Sequence, residues 1–125
     1  MLNYREIYLF HYNKQNNICP ACGRELDISG NKIDIQHRLH KEKWAIRCYP
    51  LFIHSVFNTC LMHNTCNCTT HRSYGNISTY RAERMESRMR KYPELAFRAI
   101  WPITYIRQGY NQEYRLFLQK YFNGN

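Results

Sequence analysis

Two cysteines separated by two residues, in the segment Cys19-Pro20-Ala21-Cys22, constrain this chain more than any other feature. Such a pair can bind one metal ion from a tight turn, and it supplies half of a tetrahedral zinc site. The other half has to come from residues 60 to 72, CLMHNTCNCTTHR. Three pairs there have suitable spacing: Cys60 with His63, His63 with Cys66, and Cys68 with His71. The sequence therefore predicts a structural zinc that joins the two segments, with the second ligand pair left open.

The length and the apolar runs of the chain indicate its class and surroundings. At 125 residues it is long enough for one domain and too short for two. No run reaches the roughly 18 to 20 apolar residues that a membrane span needs. The start, MLNYREIYLF, lacks the order of a signal peptide. We therefore expect a cytoplasmic protein with no membrane partner, in which clustered cysteines and histidines bind metal rather than form disulfides.

The charge of the chain favours a polyanionic partner. It has 18 Lys and Arg residues against 9 Asp and Glu residues, a net charge of +9. Such an excess strengthens binding to nucleic acid, because each phosphate contact releases a condensed counterion. A basic surface that only keeps the protein soluble is the alternative.

Apolar spacing predicts the elements of the first half. Residues 3 to 15 repeat apolar positions at intervals of three and four, which predicts a helix that ends at Asn16 and Asn17. Residues 33 to 37 alternate as in a strand, and we expect a hairpin with the CxxC segment through a turn at residues 29 to 31. A short helix is predicted to begin near Asn58, which can cap it.

The second half is predicted to be helical and basic. In a helix over residues 77 to 92, cationic side chains share one side and apolar ones the adjoining side. The cationic residues are Arg81, Arg84, Arg88 and Lys91. Pro102 ends the next helix, and the last helix carries an apolar stripe that is typical of core or of a dimer contact. The stripe consists of Tyr114, Phe117, Leu118, Tyr121 and Phe122.

Taken in order, CPAC, IDIQHRL and FNTCLMHNTCN resemble the HNH nuclease family, the ββα-metal fold. The pattern is similar to that of phage endonuclease VII-like recombination nucleases, and the segment CNCTTHRSYGNISTYR is similar to part of the sequence of phage NinG nucleases. The resemblance implies an α+β fold: a zinc-stapled ββα-metal core over residues 16 to 76, an N-terminal helix, and basic helices over 77 to 125. Its register implies that Cys19, Cys22, His63 and Cys66 bind the zinc, and that His37, Asn58 and Asn67 form the HNN variant of the catalytic triad.

The resemblance also implies a mechanism. His37 would be the general base, because an imidazole can accept a proton from water near neutral pH. A backbone carbonyl or the Asn58 side chain would fix its tautomer, and Asn67 would bind a catalytic Mg²⁺ or Mn²⁺. Many relatives carry Asp or His where this chain has Gln36, so Asp34 and His40 are further candidate ligands.

DNA, duplex or branched, is the partner that this reading implies. Contacts are expected from the four cationic residues of the basic helix and from Arg38 and Arg72. One such site cuts one strand, so cleavage of both strands would require two copies, as in a homodimer. The main alternative is a non-catalytic zinc module that binds nucleic acid, and a third reading is a toxin or antiviral effector that degrades nucleic acid broadly.

Overall fold

The computed structural model describes residues 4–27, 32–70, 77–103 and 111–123. It has the predicted α+β composition, with six helices and one two-stranded antiparallel sheet in the described residues. In chain order the elements are α1 (Tyr4–Lys14), β1 (Ile33–His37), α2 (Lys43–Cys48), β2 (Thr59–His63), α3 (Asn64–Thr70), α4 (Thr79–Lys91), α5 (Pro93–Ile100) and α6 (Asn111–Leu118), which continues as a π-helical turn (Gln119–Asn123). No helix within these ranges is both long and apolar enough to cross a membrane.

Helix α1 confirms the prediction for the start of the chain. Ile7 and His11 lie one turn apart on its buried face. The helix ends where Asn16 and Asn17 adopt φ values of 53° and 64°, a left-handed conformation that asparagine tolerates better than most residues. The chain then turns back into the CxxC segment.

The sheet differs from the hairpin that the sequence predicted. Strand β1 pairs with β2, so that Ile33 lies opposite His63 and His37 opposite Thr59. The CxxC segment contributes only one isolated bridge, between Ile18 and Glu25. Its backbone hydrogen bonds close on the segment itself: the Cys19 amide donates to the Arg24 carbonyl and the Gly23 amide to the Cys19 carbonyl, and Gly23 has a φ of +75°. The turn expected at residues 29 to 31 lies outside the described residues.

The prediction of a helix that begins near Asn58 is also wrong. Residues 59 to 63 form β2, and α3 begins only at Asn64. Leu61 and Met62 of this strand are fully buried. The burial of these side chains against other segments favours the strand, and it cannot be predicted from the local sequence. Strand β1, strand β2 and helix α3 therefore follow one another, with the long loop that contains α2 between the strands.

Two hydrophobic clusters hold the elements together. The smaller joins Cys19, Leu26, Leu61 and Met62, with tyrosines of α1 packed against it. The larger joins residues 51 to 53 to α4, α5 and α6, and Phe97 stacks on Trp101 and contacts Phe117 within it. The apolar stripe of α6 thus packs in the core of its own chain.

Helix α4 has the predicted arrangement of faces. The Ser78 hydroxyl accepts a hydrogen bond from the Arg81 amide and caps its first turn. Ala82 and Met89 are buried, whereas the predicted cationic residues are exposed. The buried Glu86 carboxylate accepts hydrogen bonds from the backbone amides of Leu51 and Phe52, and this anchors the helix to the core.

Candidate metal centre and adjoining histidine site

The four residues predicted to bind zinc lie together. One donor atom from each of Cys19, Cys22, His63 and Cys66 is within 4.8 Å of the others. Nδ1 of His63 is 3.4 Å from Sγ of Cys22 and 3.9 Å from Sγ of Cys66. Three thiolates and one imidazole form a closed tetrahedral set of the kind that binds structural zinc. The site joins the CxxC turn to the junction of β2 and α3.

A backbone hydrogen bond orients His63 for this role. Its Nε2 lies 2.9 Å from the carbonyl oxygen of Glu25. A carbonyl only accepts, so Nε2 carries the proton and Nδ1 presents its lone pair to the cysteines. The CxxC turn thus supplies both two ligands and the group that fixes the tautomer of a third.

The pKa values of the clustered thiols indicate a site that a cation would stabilise. Hydrogen bonds from the backbone and side chain of Arg24 lower the pKa of Cys22 to about 6. Burial, followed by the neighbouring thiols, raises the pKa of Cys66 to about 11. Crowded thiols resist a third negative charge, and a divalent cation removes that penalty.

Of the two alternative ligand pairs, the structure describes only Cys60 with His63. Cys60 lies outside the cluster, and burial raises the pKa of its thiol to about 11. The Cys68 side chain and His71 lie outside the described residues. Cys60 therefore belongs to the apolar packing around the site.

His37 ends β1 in a buried position, with an exposure of 8%. Its Nε2 lies 3.3 Å from Nδ1 of His54, and the two rings meet edge to face. Burial, and then electrostatic repulsion from His54, Lys41 and His40, lower the pKa of His37 to about 3, although a hydrogen bond with the Ile35 backbone acts in the opposite direction. The ring is therefore neutral at pH 7, the form in which an imidazole can accept a proton.

Sequence reasoning missed His54. It is half-buried, and Tyr4 of α1 contacts its ring edge to face at 6.3 Å. Burial, with smaller effects of Lys41 and Lys120, lowers its pKa to about 4. Its signal in the sequence is a single titratable residue inside the apolar run LFIHSVF, residues 51 to 57.

Asn58 is fully buried and holds the turn that follows His37. Its Oδ1 accepts a hydrogen bond from the Leu39 amide, and its Nδ2 donates to the carbonyls of Leu39 and Ile53. Its backbone carbonyl accepts from the Arg38 amide at 2.8 Å. Asn58 therefore positions the backbone on either side of the site, and the ring that contacts His37 is that of His54.

A polar cluster lies on the other face of β1. Asp34 Oδ2 accepts hydrogen bonds from the side-chain amides of Asn64 and Asn67, at 2.9 and 3.1 Å. Because side chains alternate along a strand, Gln36 shares this face and His37 points to the opposite one. In the part of the chain that the structure describes, the buried Oδ1 of Asn67 and the buried Nε2 of Gln36 have no hydrogen-bond partner.

An unpaired buried oxygen is costly, and a cation would satisfy it. Asn67 thus fits the predicted metal ligand, with Asp34 holding its amide nitrogen so that the oxygen is turned away. The amide of Gln36 presents oxygen instead of nitrogen after a half-turn of its end group, so it also fits. Oδ2 of Asp34 accepts from both amides and so orients them, and the role of Asp34 as a metal ligand stays a prediction.

The predicted DNA contacts lie on two separate elements. The cationic side chains of α4 are exposed, and Arg84 lies over the Tyr80 ring. Arg38 and His40 border a cavity beside the end of β1. Arg72 lies outside the described residues.

Comparison of the chain with models of known protein families, with curated proteins and with solved structures finds no match.

Proposed function

We propose that this chain is a metal-dependent endonuclease of the HNH type, which hydrolyses phosphodiester bonds of DNA in the cytosol. The observation that carries the proposal is the arrangement around the end of β1. A buried neutral histidine ends the strand, and β2 leads directly into a zinc-type cluster and into α3, whose Asn67 presents an unpaired oxygen. This order of base, metal-binding cluster and oxygen ligand supports a ββα-metal site, in which His37 and the cation on the opposite face of β1 would have to meet one phosphate at the end of the strand.

In this proposal His37 removes the proton from the attacking water. Its lowered pKa keeps the ring unprotonated across the physiological pH range, and it also makes the ring a weaker base than a histidine with a pKa near 7. His54 orients the ring, because its Nδ1 lies beside Nε2 of His37. His37 is 8% exposed, so little of its ring surface is open to a substrate.

The catalytic cation would be Mg²⁺ or Mn²⁺, held by Asn67 and Gln36. When bound, it would stabilise the negative charge that develops on the phosphate and on the leaving oxygen. Neutral amide oxygens bind such a cation less tightly than carboxylates do, so Mn²⁺ should support activity better than Mg²⁺. The zinc-type cluster has no open position and serves the fold.

The exposed cations of α4 would bind the phosphates of the substrate. These contacts position the DNA and do not read its sequence. Cleavage of both strands would still require two copies of the chain, although most of the apolar stripe of α6 is occupied by its own core.

A zinc-stabilised module that binds nucleic acid without cutting it is the second candidate. Two observations favour it: Gln36 replaces the charged or imidazole ligand of the similar nucleases, and His54 partly covers His37. The basic helix and the metal cluster would then have the same roles, and the histidine pair would be structural.

A nuclease assay distinguishes these candidates. Linear duplex, branched and single-stranded DNA are incubated with the purified protein and Mg²⁺ or Mn²⁺, with and without EDTA. We expect cleavage of at least one form, dependent on the divalent ion, in protein that retains its zinc. Binding without cleavage under every condition would contradict the endonuclease and support the binding module.

A further inference from the structure

A cavity of about 260 Å³ opens directly beside the turn that follows His37. It is lined by Arg38, Leu39, His40, Glu42, Trp44 and Ile77. The lining begins one residue after the proposed general base, so a group bound here would lie next to the reacting phosphate. Its volume suits one small planar group rather than a segment of duplex.

Trp44 is the residue that gives this cavity a chemical preference. Its side chain is 38% exposed, although tryptophan is mostly buried in folded proteins. The indole N–H donates a hydrogen bond to a carboxylate oxygen of Glu42, and Tyr49 contacts the ring edge to face at 6.3 Å. These two contacts hold an exposed aromatic ring in one orientation in the lining of a cavity that has both polar and apolar walls.

The cavity is also held rigidly relative to His37. The backbone of Arg38 and Leu39 is tied to Asn58 by three hydrogen bonds of 2.8 to 3.0 Å. Asn58 itself is fully buried. A ligand therefore meets a preformed site and does not have to order a loop, which lowers the cost of binding.

We propose that this cavity is a subsite for one unpaired nucleotide next to the cleaved phosphodiester, with its base stacked on Trp44. The inference deepens the proposed function and rests on it for the position of the cleaved bond. Aromatic stacking accepts any base, because every base has a π-face. A paired base in a continuous duplex has both faces covered by its neighbours and is not free to stack here. The preferred substrate is thus DNA with an unpaired nucleotide, as at a branch or a single-stranded flank.

The charges around the cavity agree with this orientation. Arg38 and His40 border it on the side of the β1 turn, where they can meet the phosphate of the nucleotide. Glu42 lies on the side of Trp44, where its carboxylate binds the indole and would repel a phosphate. The base therefore faces Trp44, and the phosphate faces Arg38 and His40, which follow His37 in the chain.

Binding of branched and duplex DNA tests the subsite. In Trp44→Ala, affinity for a branched DNA with unpaired thymidines should fall roughly 5- to 150-fold, the effect of losing one stacked base, while affinity for continuous duplex should change less than about 2-fold. Trp44→Phe should retain part of the affinity. Ile46→Ala is the matched control, since Ile46 is 41% exposed on the same helix and does not line the cavity. Equal losses on both DNA forms, or no loss on the branched form, would overturn the inference.

Tryptophan fluorescence provides a readout that does not depend on cleavage. The chain has two tryptophans, and Trp101 is buried in the large core, so a short oligothymidylate should quench the emission of Trp44 alone. Quenching should disappear in Trp44→Phe and persist in Ile46→Ala. If the protein cuts no DNA but this quenching is found, the result supports the subsite and contradicts the proposed endonuclease activity. If the protein cuts DNA but Trp44→Phe and wild type are quenched alike, the result contradicts the subsite and supports the proposed endonuclease activity.

Discussion

At the scale of single residues, the contact between His37 and His54 decides what the site can do. Two neutral imidazoles 3.3 Å apart share one hydrogen bond, in which one ring donates and the other accepts. Burial lowers the pKa of both rings, to about 3 for His37 and about 4 for His54. The pair is therefore neutral at pH 7, and each ring limits the orientation of the other.

The first prediction concerns these two rings. His37→Ala should reduce kcat by about 10²- to 10⁴-fold while zinc content and DNA affinity stay unchanged, because the residue acts on water. His54→Ala should reduce kcat by about 10-fold, and His54→Asn should restore part of it, since its amide can occupy the position of Nδ1. The acid limb of kcat/KM should lie below pH 6.5, because a lowered pKa keeps the base unprotonated as the pH falls. Full activity of His37→Ala would refute the assignment.

The second prediction concerns Asn67. Its unpaired Oδ1 is the oxygen that a divalent cation would use, so Asn67→Ala should lower cleavage about as much as the loss of His37. Unlike the His37 variant, it should recover partly when the Mn²⁺ concentration is raised, because the defect is one of cation affinity. The measurement is the initial rate against Mn²⁺ concentration for both variants. Identical curves that differ only in height would argue against a ligand role for Asn67.

At the scale of elements, α4 combines a buried anchor with an exposed cationic face. Burial raises the pKa of Glu86, the hydrogen bonds from Phe52 and Leu51 and the ion pair with Arg90 lower it, and burial has the larger effect. The carboxylate nevertheless joins the helix to the backbone of Leu51 and Phe52. The helix is thereby held in place without using Arg84 or Arg88, which remain exposed.

The third prediction concerns this cationic face. The double variant Arg84→Glu/Arg88→Glu should weaken binding of all DNA sequences alike and make it less dependent on salt, because phosphate contacts are lost. The control is Arg98→Glu/Arg115→Glu, which changes the net charge equally at exposed positions of α5 and α6. Affinity is measured at several salt concentrations. An equal effect of the two variants would assign the binding to overall charge and not to α4.

At the scale of the whole molecule, the metal cluster and the large core stabilise different parts of the chain. The ligands Cys19, Cys22, His63 and Cys66 fasten the CxxC turn to β2 and α3, next to the small hydrophobic cluster. The large cluster around Phe97 contains none of these ligands. Loss of the metal should therefore affect the two parts unequally.

The fourth prediction follows from this division. Elemental analysis should find about one zinc per chain, and Cys66→Ser should lose it, because a closed site needs all four ligands. Hydrogen exchange should then accelerate strongly in α1, β1 and β2 and much less in α4 and α5. Cys48→Ser is the control, as Cys48 is exposed and outside the cluster. A folded, metal-free wild type with protected strands would contradict the prediction.

The sequence by itself determined the features that depend on local spacing. A CxxC turn places two ligands through a few residues of backbone, and apolar intervals of three and four define α1 and α4 in the same way. Spacing alone left three candidates for the other ligand pair, and only the resemblance implied His63 with Cys66. Only the tertiary structure decided which segments pair. The partner of β1 comes from residues 59 to 63, more than 20 residues away, and this pairing places Asn58 in a buried turn instead of at a helix start. It also brings His54 to His37 and folds the apolar stripe of α6 onto Phe97. Such contacts depend on the burial of both partners, and the spacing of residues within one segment does not predict which distant segment will pack against it.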